Sequence, residues 1–521
     1  MVISLADARR ICPDVVKLEQ IQRAQKVKIE ELQAQLDWLQ RQVWGAKSER
    51  RALEVLNLGH QLWLGQELLP VPVTPPARST TVKEHERKQR KKPTDLVDTD
   101  SQLRFGPNVP VKVIEVDDPA TANIPENMRE LVSEDTLYRL GQRSPYVVLK
   151  YVTKTWKLKD SGKLVAPPAP ASVIPGGSAD VSFLVGLLVD KFQHHLPLYR
   201  QHARLLQSDV HLDRGTLTRQ VHRTVELLEP IYQAVMSSVL QSPVLAVDET
   251  PTPAGLKKGA GKEKGKMGSG YLWAFYGSHD EIFFLYSPSR AKKVLEAVLE
   301  NYQGTLLTDG YIAYESFVKG QKNVLHAQCW SHSRRNFIYA EKAGPQQCAD
   351  VVMMIQQLYL VEREAELGSL ELGALRKKKS RPLVDALFTY LDKQIAESIF
   401  LPSNAFLKAA QYMIDRRREL EVFLDRPEVP LDTNSVERAI RPSVVGRKNW
   451  LFNFTETGAR YTAIAYSLIQ SCVAADVNPT VYFTDVLQRI AVHPARDVHL
   501  LTPRMWGENF ASNPFTSDAT A

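Results

Sequence analysis

Two short apolar runs, each ending in an acid, constrain this chain more than anything else in it. Val244-Leu245-Ala246-Val247 leads into Asp248, with Glu249, Thr250 and Pro251 closing the run. Its length and β-branched content read as a buried strand that delivers a carboxylate to its own end. Thr305-Leu306-Leu307-Thr308 leads in the same way into Asp309, after Gly304 and before Gly310, where the chain is free to turn. Aromatic-rich segments at 270–277 and 282–286 and a helical stretch at 289–301 lie between the two runs. The pattern predicts three strands, a helix and a fourth strand in one mixed α/β sheet.

Two such strand ends side by side suit hard cations. Mg²⁺ takes oxygen ligands and keeps several waters, so one or two carboxylates and a substrate phosphate hold each ion. Two ions about 3.5–4 Å apart stabilise both the attacking and the leaving oxygen of an in-line displacement. The plainer reading is that an Asp at a strand end forms a turn or caps the next helix. The two strands alone leave both readings open.

A third acid follows much later, at Glu437 in Leu431-Asp432-Thr433-Asn434-Ser435-Val436-Glu437-Arg438. Asn434 precedes it by three residues, the spacing of a capping box, which gives Glu437 a structural role of its own. Arg438, Arg441, Arg447 and Lys448 surround it with the positive charge that a DNA phosphodiester requires. The stretch 257–268 mixes Lys257, Lys258 and further lysines with glycine, and reads either as a cationic loop for a phosphate backbone or as a solvated loop. Ser331-His332-Ser333-Arg334-Arg335 predicts a helix capped by Ser331, with Arg334 and Arg335 placed for phosphate. His326, Cys329 and His332 recur every third residue, but a closed zinc site needs a fourth ligand and none is near.

The remaining chain falls into segments around this core. Residues 1–50 carry a heptad trace, with Ile29, Leu32, Leu36, Leu39 and Val43 at alternating spacings of three and four and Gln22 and Gln25 on the same seam. A coiled coil and an amphipathic helix packed on its own domain fit that trace equally. Residues 51–100 read as a partly basic linker, and 101–165 as a small antiparallel β domain. A second Pro-rich linker at 166–177 opens a helical domain that extends to 240. Within it, residues 211–223 fit the turn and second helix of a helix-turn-helix, with Asp213 as N-cap and Arg214 and Arg219 exposed. The core occupies 241–340 and resumes at 429–495. Between these parts lies a helical insertion, 341–428, broken at 368–369, 380–382 and 402–403, and a tail, 496–521, ends the chain.

Composition narrows the class. With 521 residues, 44% hydrophobic and 24% charged, the profile is that of a water-soluble multidomain protein. The net charge of +7 permits a polyanionic partner. Four cysteines far apart make no disulfide framework and suit a reducing compartment. The start shows no signal peptide, and the longest apolar run, residues 181–189, is too short to span a bilayer.

The run from Asn434 to Phe452, together with Val247-Asp248-Glu249-Thr250, Thr308-Asp309-Gly310-Tyr311 and Cys329-Trp330-Ser331-His332-Ser333-Arg334-Arg335, closely resembles the transposases of the insertion-sequence-sixty-six type. The resemblance spans nearly the whole chain. It implies a ribonuclease-H-like mixed-sheet catalytic core of the DDE class with a helical insertion. Ahead of that core it implies a coiled-coil helix, a small β domain and a helical DNA-binding domain. It implies Asp248, Asp309 and Glu437 as catalytic and metal-binding residues, with Mg²⁺ as cofactor and Mn²⁺ as its substitute. Double-stranded DNA, both element ends and target, is the implied partner, with a homo-oligomer on DNA and accessory proteins of the element. A bacterial cytoplasm, at the nucleoid, is the implied location. The family's small β domain usually bears a zinc-ribbon-like set of cysteines; residues 95–165 contain none, so the resemblance does not carry zinc to this chain. Two other functions share these features: a nuclease of the same fold without strand transfer, and a DNA-binding regulator without catalysis.

Overall fold

The computed structural model describes residues 97–98, 103–106, 109–116, 125, 128–141, 146–256, 266–368, 370–397 and 400–519. The heptad segment, the first linker as far as residue 96, Lys257 and Lys258 lie outside the described residues. No described helix is long and apolar enough to cross a membrane.

The small β domain opens with β1 (Val97–Asp98) and β2 (Arg104–Phe105), followed by β3 (Val111–Val116), β4 (Arg129–Gly141), β5 (Val147–Leu158) and β6 (Leu164–Val165). The long β4 and β5 pair antiparallel from Arg129 opposite Leu158 to Gly141 opposite Val147, with an irregularity between Leu131 and Ser133. The expected all-antiparallel unit is not what forms. β3 joins β5 in parallel, Val111 opposite Val148, because β4 and its flanking loops provide the long return that parallel pairing needs. The second linker is not a free tether either. Arg139 donates to the carbonyls of Pro170 and Ala171, and Ile174 is buried. The tail also docks here, where Tyr151 donates to Asp518 at 2.6 Å and Ala519 packs on Val147 and Leu149.

Four helices follow: α1 (Val181–Phe192), α2 (Leu198–Gln207), then, after β7 (Val210–His211), α3 (Arg214–Leu227) and α4 (Glu229–Val239). Asp180 caps α1 by accepting from Ser182 N at 2.9 Å. The predicted turn between α2 and α3 exists, but it contains β7, which pairs antiparallel with β2 and ties the helix pair to the small sheet. Asp213 does stand at the N-cap of α3, without a side-chain capping bond.

The core sheet comprises β8 (Val244–Pro251), β9 (Tyr271–Tyr276), β10 (Ile282–Ser287), β11 (Gly304–Thr308) and β12 (Val324–Gln328). Helix α5 (Lys293–Val298) precedes β11, and α6 (Ile312–Val318) precedes β12. The strand order is β10-β9-β8-β11-β12, antiparallel on the first side of β8 and parallel on the other. Val244 to Val247, Leu272 to Phe275 and Ile282 to Phe284 are buried as unbroken runs, since helices cover both faces.

After α7 (Trp330–Ala340) the helical insertion runs through α8 (Pro345–Gly368), α9 (Leu372–Leu375), α10 (Arg381–Ala396), α11 (Ala405–Ile414) and α12 (Arg417–Asp425). The break expected at 380–382 is absent. A π turn at Arg376–Ser380 joins α9 to α10, and Pro382 falls in the first turn of α10, where its missing N–H is not needed. Arg376 is buried there, with its guanidinium bonded to Glu362 and to the carbonyls of Phe423 and Val429. The chain then forms α13 (Asn434–Trp450), α14 (Glu456–Ala474), α15 (Pro479–Arg489) and, after a 3-10 turn at Ala495–Leu501, α16 (Pro503–Asn509). Helix α13 lies on β8 and β9, and α14 on β10.

Candidate active site

Strand register sets the first two acids against each other. In the parallel pairing of β11 with β8, Leu307 is opposite Ala246. The same register carried two residues past the last pair would set Asp309 beside Asp248, on strands whose spacing is about 4.8 Å, and the charge of Asp309 does reach Asp248. Asp248 is not at a strand end, as expected from the sequence. β8 continues through Thr250 to Pro251, pairing with β9 (Asp248 opposite Ala274) after its parallel partner has stopped. Asp309 does lie immediately beyond β11, where its Oδ1 accepts from Tyr311 N at 2.9 Å and so opens α6. Gly310 is required by close approach: a Cβ there would collide with the ring of Tyr412 from the insertion.

Glu437 comes from α13, and its charge reaches Asp248. The capping box expected around it does not form. The N-cap is Thr433 rather than Asn434, no side chain caps the helix, and Glu437 lies one residue too far along. Asp432 takes the local role instead, accepting from Asn434 N at 3.0 Å. Glu437 sits in the first turn of a 17-residue helix, Asn434–Trp450, with Pro442 inside it. The Glu437 carboxylate meets Arg335 at 3.3 Å, His332 at 3.7 Å and Thr433 Oγ1 at 3.5 Å. Both Arg335 and His332 come from α7, whose N-cap is Cys329 rather than the expected Ser331.

Electrostatics ties the three acids together. Burial pushes the Asp248 carboxyl up to about 7, and the charges of Glu249, Asp309 and Glu437 add to the rise. Like charges held in one place without a counter-ion resist ionisation. An all-oxygen set of this kind fits a hard divalent cation, which would relieve that repulsion. Among the described residues no group of three His, Cys, Asp or Glu lies close enough together to hold a metal ion. For Asp248, Asp309 and Glu437 to share one, their carboxylates would have to draw together around it.

The neighbours of these acids include groups that the sequence did not single out. Glu249 points away from Asp248 by strand alternation and is bonded to Arg290 and Tyr314. Burial raises the Glu249 and Tyr314 pKa values. Arg290 stacks 3.8 Å over the Tyr311 ring, and the charge of Asp309 reaches it. An acid pair at the end of an apolar strand was the available signal, because alternation sends one member outward and one inward. The evenly spaced His326, Cys329 and His332 separate: His326 Nε2 lies 2.9 Å from Thr308 Oγ1, Cys329 accepts from Thr433, and His332 faces Glu437.

The predicted cations divide. Arg438, Arg441 and Lys448 are exposed on α13, and Arg334 is exposed on α7. Arg335 is engaged with Glu437, and Arg447 is half-buried, its Nη1 3.4 Å from Thr250 Oγ1. Arg214 and Arg219 are exposed on α3, where Arg219 donates to Thr216; none of their bonds links them to the acids.

Comparison with known proteins follows the same lines. The sequence profile of the Transposase IS66 family matches residues 176–461, and that of the IS66 C-terminal element matches residues 467–503. The uncharacterized protein y4qI of Sinorhizobium fredii (strain NBRC 101917 / NGR234) is 30% identical over 392 residues, 72% of this chain and 71% of its own. The uncharacterized protein y4hP of that strain is 28% identical over 399 residues, 71% of this chain and 70% of its own.

Proposed function

The chain belongs to the IS66 transposase family, and from that premise we propose that it cuts the ends of its element with a DDE triad and joins them to target DNA. Family membership makes it a transposase acting on DNA; the triad, the metal and strand transfer are our reading. What supports the reading is that the charges of Asp309, from the adjacent strand, and of Glu437, from a distant helix, both reach the buried Asp248. The mixed five-stranded sheet, with its acid-bearing strands adjacent and central, supports a ribonuclease-H-like core.

Each residue then has a task. Asp248, Asp309 and Glu437 hold Mg²⁺, or Mn²⁺ in its place. Bound there, the ions supply the Lewis acidity that activates water and later a 3′-hydroxyl. Arg335 and His332 orient Glu437, while Tyr311 N and Tyr412 fix the turn that carries Asp309. Exposed Arg334, Arg438, Arg441 and Lys448 neutralise phosphates flanking the scissile bond. Arg214 and Arg219 on α3 contact DNA further away. Two element ends must be held together, which symmetry achieves most simply with two protomers. The heptad segment is the proposed seam.

The test is incubation with duplexes carrying element ends, Mg²⁺ and a plasmid target. Joined products are expected. Cleavage without joining would identify a nuclease, and binding without cleavage a regulator.

A further inference from the structure

The segment between α13 and α14 is shaped in a way that the three acids do not explain. At Leu451 the backbone turns sharply, with φ 68° and ψ −48°, and Phe452 N donates to Trp450 O at 2.8 Å across it. This is a γ-turn of the positive-φ kind, a strained conformation for a residue with a side chain. Such strain persists only where the surroundings enforce it, and here they do. Asn453 is buried and held on three sides. Its N donates to Pro253 O at 3.0 Å, its carbonyl accepts from Gly255 N at 3.2 Å, and its side chain accepts from Thr462 at 2.8 Å. Thr455 then caps α14 by accepting from Gly458 N.

Pinning Asn453 inward turns its neighbours outward. Phe454 is 67% exposed and Phe452 41%, flanking the inward Asn453, with Leu451 exposed beside them. Lys448 is exposed in the last turn of α13, and Arg447 lies there too. The acid Glu456 sits against Gly255, and its charge adds to the rise that burial gives the Tyr286 pKa. Two rigidly mounted aromatic rings beside cations match a nucleic-acid strand whose bases are free to stack. The anchor fixes how far they are from the chemistry. Pro253 follows Asp248 by five residues on the same run of chain, about 17 Å at strand rise, which sets the anchor itself about five base steps of DNA from that acid.

We infer that Phe452 and Phe454 form a stacking platform for unpaired bases within about five nucleotides of the scissile phosphate, holding the end open once it is cut. The inference rests on the transposase reading and adds to it a preference for frayed over fully paired ends.

The experiment measures binding of the full chain, without divalent metal, to a blunt duplex and to the same duplex with about five unpaired nucleotides carrying 2-aminopurine. The wild-type chain is expected to bind the frayed duplex at least about tenfold more tightly and to quench the probe. Phe452→Ala with Phe454→Ala should bring the two affinities within about twofold of each other and abolish quenching, while blunt-duplex binding stays unchanged. Replacing both by Trp should retain the preference. An unchanged preference in the double Ala chain overturns the platform, and so does a fall in that chain's mass by light scattering, which would make the pair a contact between copies. Equal wild-type binding to both duplexes also overturns it, and leaves the transposase reading standing if end cleavage is seen. If the wild-type chain binds neither duplex and, with Mg²⁺ added in a parallel incubation, cuts neither, both readings fall.

Discussion

Arg335 Nη2 lies 3.3 Å from Glu437 Oε2, joining the helix after the last core strand to the helix that brings the third acid. The pair is partly exposed, so its contribution to stability is small. Its effect on position is larger. Arg335→Ala should slow cleavage by about ten- to a hundredfold with little change in melting. Arg334→Ala, on the exposed side of the same helix, should weaken binding and leave the rate of bound complexes alone. Normal single-turnover cleavage by Arg335→Ala would show that Glu437 is held by other means.

Asp248→Ala, Asp309→Ala and Glu437→Ala should each take Mg²⁺-dependent cleavage below detection while end binding stays measurable. Because no capping box engages Glu437, Glu437→Gln should be folded and inactive. Activity in Glu437→Gln would exclude this residue from the triad.

Asp248 also makes stability depend on pH. A carboxyl at about 7 in the folded chain and near 3.8 when unfolded binds more protons folded than unfolded between those values. Stability therefore falls as pH rises from about 4 to 7, and stays low above that. Asp248→Asn should be more stable than wild type at pH 8 by roughly 2 to 4 kcal/mol, the gain shrinking toward pH 4. Mg²⁺ should raise the wild-type melting temperature and not that of the variant. Equal denaturation midpoints at pH 8 would mean that Asp248 is ionised without strain.

Replacing Arg438, Arg441 or Lys448 by Ala should lower the log-log salt slope of DNA binding by about 0.9 per lost phosphate contact. Arg447→Ala should behave differently, since its guanidinium faces Thr250 and is partly withdrawn from solvent. It should lower stability as well as affinity. Four identical slope changes would refute this division.

Leu451→Gly should stabilise the fold by about 1 kcal/mol, because glycine adopts positive φ without the strain. A denaturation midpoint equal to or below that of wild type would show that the turn stores no strain.

Much of this was legible in the sequence. Apolar runs marked β8 and β11. The mixed sheet and the long helical insertion followed from spacing. What escaped has a common physical cause: local rules were overruled by distant contacts. Asn434 has the sequence of a cap, yet Trp330 N donates to Leu431 O and so holds the segment before it against the core, and Thr433 takes the N-cap. Pro382 reads as a break and is absorbed by a π turn that buried Arg376 stabilises. β3 alternates as an antiparallel strand would, and only the long return past β4 reveals its parallel partner. Arg290 carried no local signal, since its partner Glu249 is 41 residues away.

The same long spacing has a consequence in time. Glu437 is 189 residues beyond Asp248, so a ribosome adding about 5 to 20 residues per second makes the first acid roughly ten to forty seconds before the third. Once Asp309 has been made, and for the rest of that interval, the emerging chain holds both acid-bearing strands but not the helix that brings the third acid. Synthesis thus acts as a delay line: a chain abandoned partway, by a stalled ribosome or a broken message, leaves fragments lacking the third acid.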